Sequence, residues 1–115
     1  MANIGGNITG MIQTNTTTKN AIGESVPVWS EAFSQIGWLG MQSGGKNSGN
    51  FNAKIEETTH VFLCDFHSGI YALADKETRM IIKDVVYNVL LIDNPDEMNE
   101  QLEIYLKRVG AWNGN

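Results

Sequence analysis

His60, Cys64 and His67 are the residues whose types and closeness invite chemistry. Imidazole and thiolate are zinc ligands, and a thiol beside an imidazole is the pairing of a cysteine nucleophile. Their spacing speaks against both. His60-Val61-Phe62-Leu63-Cys64-Asp65-Phe66 alternates as a strand does, with His60, Phe62, Cys64 and Phe66 on one face. A strand rise of roughly 3.3 Å per residue sets His60 and Cys64 about 13 Å apart, too far to share one ion. His67 falls on the opposite face. No metal site is expected, and Cys64 reads as a buried, inert thiol. Gly44-Gly45-Lys46-Asn47-Ser48 echoes a phosphate loop but lacks its first glycine, its Lys-Ser/Thr pair and a helix to follow. Asp93, Asp96 and Glu97 lack the spacing of a calcium loop and read as a solvated turn. No paired-carboxylate, serine-triad or zinc-hydrolase pattern is present. Neither enzymatic activity nor a cofactor is expected.

The elements that carry these residues speak mostly with period two. Thr78-Arg79-Met80-Ile81-Ile82 and Val85-Val86-Tyr87-Asn88-Val89-Leu90-Leu91-Ile92 are rich in β-branched and aromatic residues and read as strands. Lys83-Asp84 between them is a tight turn without the glycine that a primed hairpin turn prefers. Asn94-Pro95-Asp96-Glu97 is a turn signal. Gln101 to Lys107 alternates again and reads as strand rather than helix. Upstream, Met11 to Thr18 is a threonine-rich strand with one wet face. The stretch Gly23 to Ser30 turns and meets a short segment to Phe33, and Gln35 to Met41 is the next strand. Gly37 within it marks a bulge or a close approach. Trp29, Trp38, Phe62 and Tyr87 read as core.

The segment Gln42-Ser43-Gly44-Gly45-Lys46-Asn47-Ser48-Gly49-Asn50-Phe51-Asn52-Ala53-Lys54 stands apart. Gly, Ser and Asn dominate it, so it buries too little apolar surface to offset its ordering entropy. A long loop inside a compact domain is either a tolerated insertion or functional. The fold class expected is all-β: a small antiparallel barrel or sandwich of about five to seven strands with one long flexible inter-strand loop. One domain spans residues 1–115, with a flexible N-terminus over 1–9 and a frayed C-terminus over 110–115.

Composition bounds the function. A chain of 115 residues with 42% hydrophobic and 9% aromatic residues is globular. Its formal net charge of -5 argues against tight DNA binding by a single copy, since duplex binding rests on basic residues displacing counterions. One cysteine rules out an intramolecular disulfide and fits a reducing compartment. The N-terminus lacks the basic and apolar regions of a signal peptide, and no apolar run is long enough to span a bilayer. A soluble protein made in the cytosol, with no membrane partner, is expected.

In order and spacing, these segments resemble the head-tail joining proteins of tailed bacteriophages, also called head-closure or stopper proteins. The similarity runs through Gly10-Met11-Ile12-Gln13-Thr14, the turn from Gly23 to Trp29-Ser30, and Gln35-Ile36-Gly37-Trp38-Leu39. It continues through Thr59-His60-Val61-Phe62-Leu63-Cys64, Ser68-Gly69-Ile70 and the hairpin Arg79 to Val89. It closes on Asn94-Pro95-Asp96-Glu97 and Leu102-Glu103-Ile104-Tyr105-Leu106, so it covers about Met11 to Val109. The chain departs in the central strand, where Asp65 and His67 replace basic residues that relatives often carry.

The resemblance implies a structural protein of the virion neck, made in the host bacterial cytoplasm. It implies a homo-oligomeric ring, of about six or twelve subunits, between the portal with its adaptor ring above and a tail terminator or tail-tube protein below. Packaged double-stranded DNA passes through the lumen without sequence recognition. The loop after the second main strand, here Gln42 to Lys54, then lines or closes the channel. Lys46 and Lys54, repeated around a ring, add up to a positive field near DNA. Two alternatives remain open at the level of sequence. One is a tail-completion or terminator ring one level down. The other is a small barrel that binds single-stranded nucleic acid, which needs aromatic residues on a basic face.

Overall fold

A computed structural model describes residues 3–41 and 57–114. Six strands, β1 Ile8–Lys19, β2 Ser25–Met41, β3 His60–Asp65, β4 Thr78–Ile82, β5 Val85–Asp93 and β6 Gln101–Ala111, close into a barrel in the order β1-β2-β3-β6-β5-β4. Every neighbouring pair is antiparallel. The direction therefore alternates around the barrel. The β1–β2, β3–β4 and β5–β6 connections leave from one end. The β2–β3 loop, the β4–β5 turn and the last residues of β6 lie at the other, while residues 4 and 5 reach back to Asp65 at the far end of β3.

Alternation fills the barrel. Phe62 and Cys64 from β3, Met80 and Ile82 from β4, and Leu102, Ile104 and Leu106 from β6 are buried together with Ile12 and Tyr87. Burying an aliphatic or aromatic side chain of this size stabilises the fold by roughly 1.5–3 kcal/mol. Most of the residues between them in sequence are less buried, Ile81 excepted. A four-residue helix, α1 (Ser68–Tyr71), covers the end from which the β3–β4 connection leaves, placing Ile70 and Leu73 in the same core cluster. His67 starts α1 by accepting the Gly69 and Ile70 amides at Nδ1. No helix was expected there, because four residues are too few to show a periodicity.

Several boundaries differ from those read off the sequence. The turn placed between Gly23 and Ser30 is confined to residues 20–24, where the Asn20 side chain accepts the Ile22 and Glu24 amides. β2 then runs unbroken for 17 residues through Pro27. Proline is tolerated there because its missing N–H faces an edge that, among the described residues, pairs with no strand. The extra residue of the β1–β2 ladder is Ala32, not Gly37: Ile12 faces Phe33 while Gln13 faces Glu31. Gly37 is a close approach. A Cβ on it would lie 2.5 Å from the Leu63 carbonyl oxygen and 2.6 Å from the Phe62 ring. Lys83 and Asp84 both take positive φ, as a primed hairpin turn requires. At the β5–β6 turn, Asp96 and Glu97 also have positive φ. That turn is pinned by Asn94, which donates to Asn99 Oδ1 and accepts the Asn99 amide.

Contacts also reach further toward the chain ends than expected. The Ile4 and Gly5 amides donate to the Asp65 carboxylate at 2.7 and 3.1 Å, and the Asn7 amide to the Gly37 carbonyl. Strand β6 extends to Ala111, and the Trp112 amide donates to the Asp84 carbonyl.

Candidate functional site

The loop expected to line a channel, Gln42 to Lys54 with Lys46 and Lys54, lies outside the described residues; its base does not. Met41 ends β2 directly opposite His60, the first residue of β3. Thr59 organises this base. Its amide donates to the Leu106 carbonyl at 2.8 Å, and its hydroxyl accepts the Arg108 amide at 2.7 Å. His60 Nδ1 lies 2.9 Å from the same hydroxyl, and its ring stands edge-on to Tyr87 with centroids 5.1 Å apart. Burial, helped by the nearby Arg108 guanidinium, holds the His60 pKa below its ordinary value.

Charge is distributed unevenly between the two ends. Beside the loop base stand the exposed Lys107 and Arg108, with Lys83 in the β4–β5 turn, against Glu57 and Asp84. The connections at the far end carry Glu24, Asp75, Glu77, Asp96, Glu97 and Glu100, all exposed, against Lys19 and Lys76. The long loop thus leaves from the less acidic end of an acidic protein.

The residues that invited chemistry are each engaged in holding the fold. Cys64 is fully buried, and burial with the adjacent Asp65 pushes its thiol up to about 12. It is a neutral thiol at physiological pH. His67 caps α1 and its ring packs edge-on against Phe33 at 4.7 Å. His60 braces the loop base. Among the described residues, no three His, Cys, Asp or Glu side chains gather as metal ligands.

Two of the four aromatic residues read as core lie elsewhere. Phe62 and Tyr87 are buried, but Trp38 is 44% exposed on the outer face of β2 and donates from Nε1 to the Ile4 carbonyl at 2.8 Å. Trp29 is half-buried beneath the Arg79 guanidinium, 4.4 Å from its ring centroid, and Arg79 Nε donates to Gln13 Oε1. The alternation Gly37-Trp38-Leu39 carries the signal: Leu39 packs against the core cluster, so Trp38 must point out.

Two features of the outer surface have no counterpart in the sequence reading. Beyond Thr14, the last β1 residue paired with β4, the β1–β2 hairpin continues as a two-stranded ribbon to its turn. Around the barrel wall, Gly40, Val61, Tyr105 and Leu91 align in register across β2, β3, β6 and β5 on the outward face. Beside them run Trp38, Leu63, Glu103 and Asp93. No family model matches this chain, and no curated protein is significantly similar to it.

Proposed function

We propose that this chain is a structural subunit of the neck of a tailed bacteriophage, assembling as a ring that closes the filled head, retains packaged DNA and offers the tail its docking surface. The observation that carries the reading is the polarity of the barrel. The Gly/Ser/Asn-rich segment with Lys46 and Lys54 leaves from the end that carries Lys83, Lys107 and Arg108 beside Glu57 and Asp84, while more of the exposed carboxylates lie at the opposite end. In a ring, copies of Lys83, Lys107 and Arg108 with the loop lysines add up to a positive field along the lumen, and the acidic remainder keeps DNA from being trapped elsewhere on the surface. A barrel filled by its own side chains suits a spacer and docking body, and the resemblance in motif order supplies the assignment to the neck. The adaptor ring above, the tail protein below and the passing duplex are the partners of this reading. The head-closure level is the one the resemblance implies, and gene order beside the portal, adaptor and major tail genes separates it from a tail-completion ring one level down.

The test is electron microscopy of lysates from a phage carrying a nonsense mutation in this gene. Free tails beside heads that packaged and then lost their DNA are expected. Filled, tailed, infectious particles would sink the proposal. Within it, Lys46→Glu combined with Lys54→Glu is expected to weaken DNA retention. Unchanged retention rejects a DNA-proximal role for the loop lysines.

A further inference from the structure

We propose that residues 4–7 form a releasable strap that clamps β2 to β3, and that the barrel wall opens first between these two strands once the strap lifts. Three of the ladders that close the barrel hold only four residue pairs: β1–β4, β2–β3 and β4–β5. Two of the three are reinforced. A two-residue turn joins β4 to β5. The β1–β4 ladder is prolonged by the Asn15 amide on the Glu77 carbonyl and by Asn15 Nδ2 on Glu77 Oε1. The β2–β3 ladder has no such turn, since residues 42–59 separate its strands in sequence, and it stops at Trp38 and Leu63. The strap crosses the wall at that stop.

One short segment bonds to both strands there. On β2, Trp38 donates from Nε1 to the Ile4 carbonyl at 2.8 Å, and the Gly37 carbonyl accepts the Asn7 amide at 2.9 Å. On β3, the Asp65 carboxylate accepts the Ile4 and Gly5 amides at 2.7 and 3.1 Å. Phe62 and Cys64 are buried in the barrel, so by alternation Asp65 faces out, as Trp38 does, and the strap lies on the outside of the wall. Its glycines make the fit. Gly5 has a φ of 62°, which lets successive amides converge on one anion. Gly6 lies directly on β2, where a Cβ would overlap the backbone N, Cα and O of Gly37. The strap docks only where glycine meets glycine.

The same contacts make it releasable. On the strap's side every one of these bonds is made by backbone, and no strap residue is buried in the core. Four hydrogen bonds, two of them strengthened by the charge of Asp65, oppose the ordering of four residues, two of which are glycines and lose the most freedom. Gain and cost are of similar size, so a segment near the chain end lifts by local opening while the barrel stays folded. Lifting removes the bonds to Trp38, Gly37 and Asp65 together and leaves four residue pairs to hold the seam. The inference concerns motion within one copy and stands apart from the neck assignment.

Amide hydrogen exchange of the full chain, read residue by residue by NMR, tests it. Gly6→Ala keeps the strap off, because its methyl has no place on Gly37, and it alters no barrel residue. Asp65→Asn keeps the side-chain shape and removes the charge. In the parent, the Ile4, Gly5 and Asn7 amides are expected to be protected, but less than those bonded between β5 and β6. In Gly6→Ala they should exchange at least about tenfold faster, the amides bonded between β2 and β3 should follow, and those between β5 and β6 should keep their rates. Asp65→Asn should move the same two sets in the same direction by a smaller factor, since a neutral oxygen accepts more weakly. Unchanged β2–β3 protection in Gly6→Ala overturns the inference, because the strap then clamps nothing. Equal acceleration across β5–β6 overturns it as well, because the strap then belongs to the global folding unit. Parent strap amides that exchange as fast as an unstructured peptide also overturn it, as does an Asp65→Asn variant whose strap amides are unchanged.

Discussion

The two halves of the β1–β2 hairpin are built from the same pair of strands and experience opposite surroundings. From Met11 to Thr14, β1 lies between β2 and β4, and its inward residue Ile12 is buried in one cluster with Phe62 and Met80. From Thr16 onward the strands, among the described residues, pair only with each other, and every residue from Thr16 to Ser25 is exposed. Their alternation is the same. What differs is whether a second layer exists to receive the inward face, so a strand pattern reports which side is offered for burial and not whether anything covers it.

The sharpest way to break this contrast is to truncate one inward side chain in each half. Phe62→Ala removes a fully buried ring from the barrel and is expected to cost about 3–5 kcal/mol. Val28→Ala in the ribbon is expected to change stability by no more than about 0.5 kcal/mol, measured on dilute monomer. Urea denaturation followed by tryptophan fluorescence measures both. Similar losses for the two would show that the ribbon is as much a part of the folding unit as the barrel. The same experiment carries a chemical readout: Cys64, with its thiol pushed up to about 12, should resist thiol reagents until global unfolding exposes it.

A second pair brings the contrast down to three residues of one strand. Gly37→Ala drives a methyl into the Leu63 carbonyl and the Phe62 ring, with an expected loss of about 1–3 kcal/mol. Gly40→Ala adds a methyl to open space and should stay within about 0.5 kcal/mol of the parent. Equal melting temperatures for the two variants would mean that Phe62 has room to move and that the barrel interior is looser than its burial indicates.

These positions also show what the sequence made legible. β3, β4, β5 and β6 were readable because period-two patterns there coincide with complete burial of alternate residues, as at Phe62, Cys64, Leu102, Ile104 and Leu106. β2 was not readable as one strand, since proline and glycine are punctuation in sequence and Pro27 is an edge device in the barrel. Trp38 was misassigned because size was weighed above parity: Gly37 holds the inward position, with the Phe62 ring lying over it. The candidate loop could be delimited by composition, but nothing in composition says which end of the barrel it leaves from. That required the closed topology, which no local pattern contains.

The β4–β5 turn is a smaller effect in the opposite direction. Lys83 and Asp84 hold positive φ without being glycine or asparagine, a conformation that costs an L residue with a Cβ roughly 1–2 kcal/mol. Lys83→Asn with Asp84→Gly should therefore raise stability by about 1 kcal/mol while leaving the flanking strands in register. A loss instead would show that the Lys83 or Asp84 side chain makes a contact worth more than the backbone strain.

The smallest expected effect lies at the loop base and is one of pH. His60 has its pKa held below 6.5, first by burial and then by Arg108, so the folded chain binds a proton there less readily than the unfolded one. Over the window between the lowered value and 6.5 the unfolded state carries more protons, and stability must rise with pH. The contribution is fully present above 6.5 and is lost as the pH falls through the lowered value. Because His60 is partly exposed, solvent screening keeps the effect small. Carboxylates titrate at lower pH in the same direction, so the informative quantity is a difference between two proteins. His60→Phe keeps a ring to pack on Tyr87 and removes the titration. Its stability relative to the parent should improve as the pH falls from 7.5 to 5.5 (about one unit either side of the ordinary histidine value). A constant difference would place the His60 ring freely in solvent and detach the loop base from Tyr87 and Arg108.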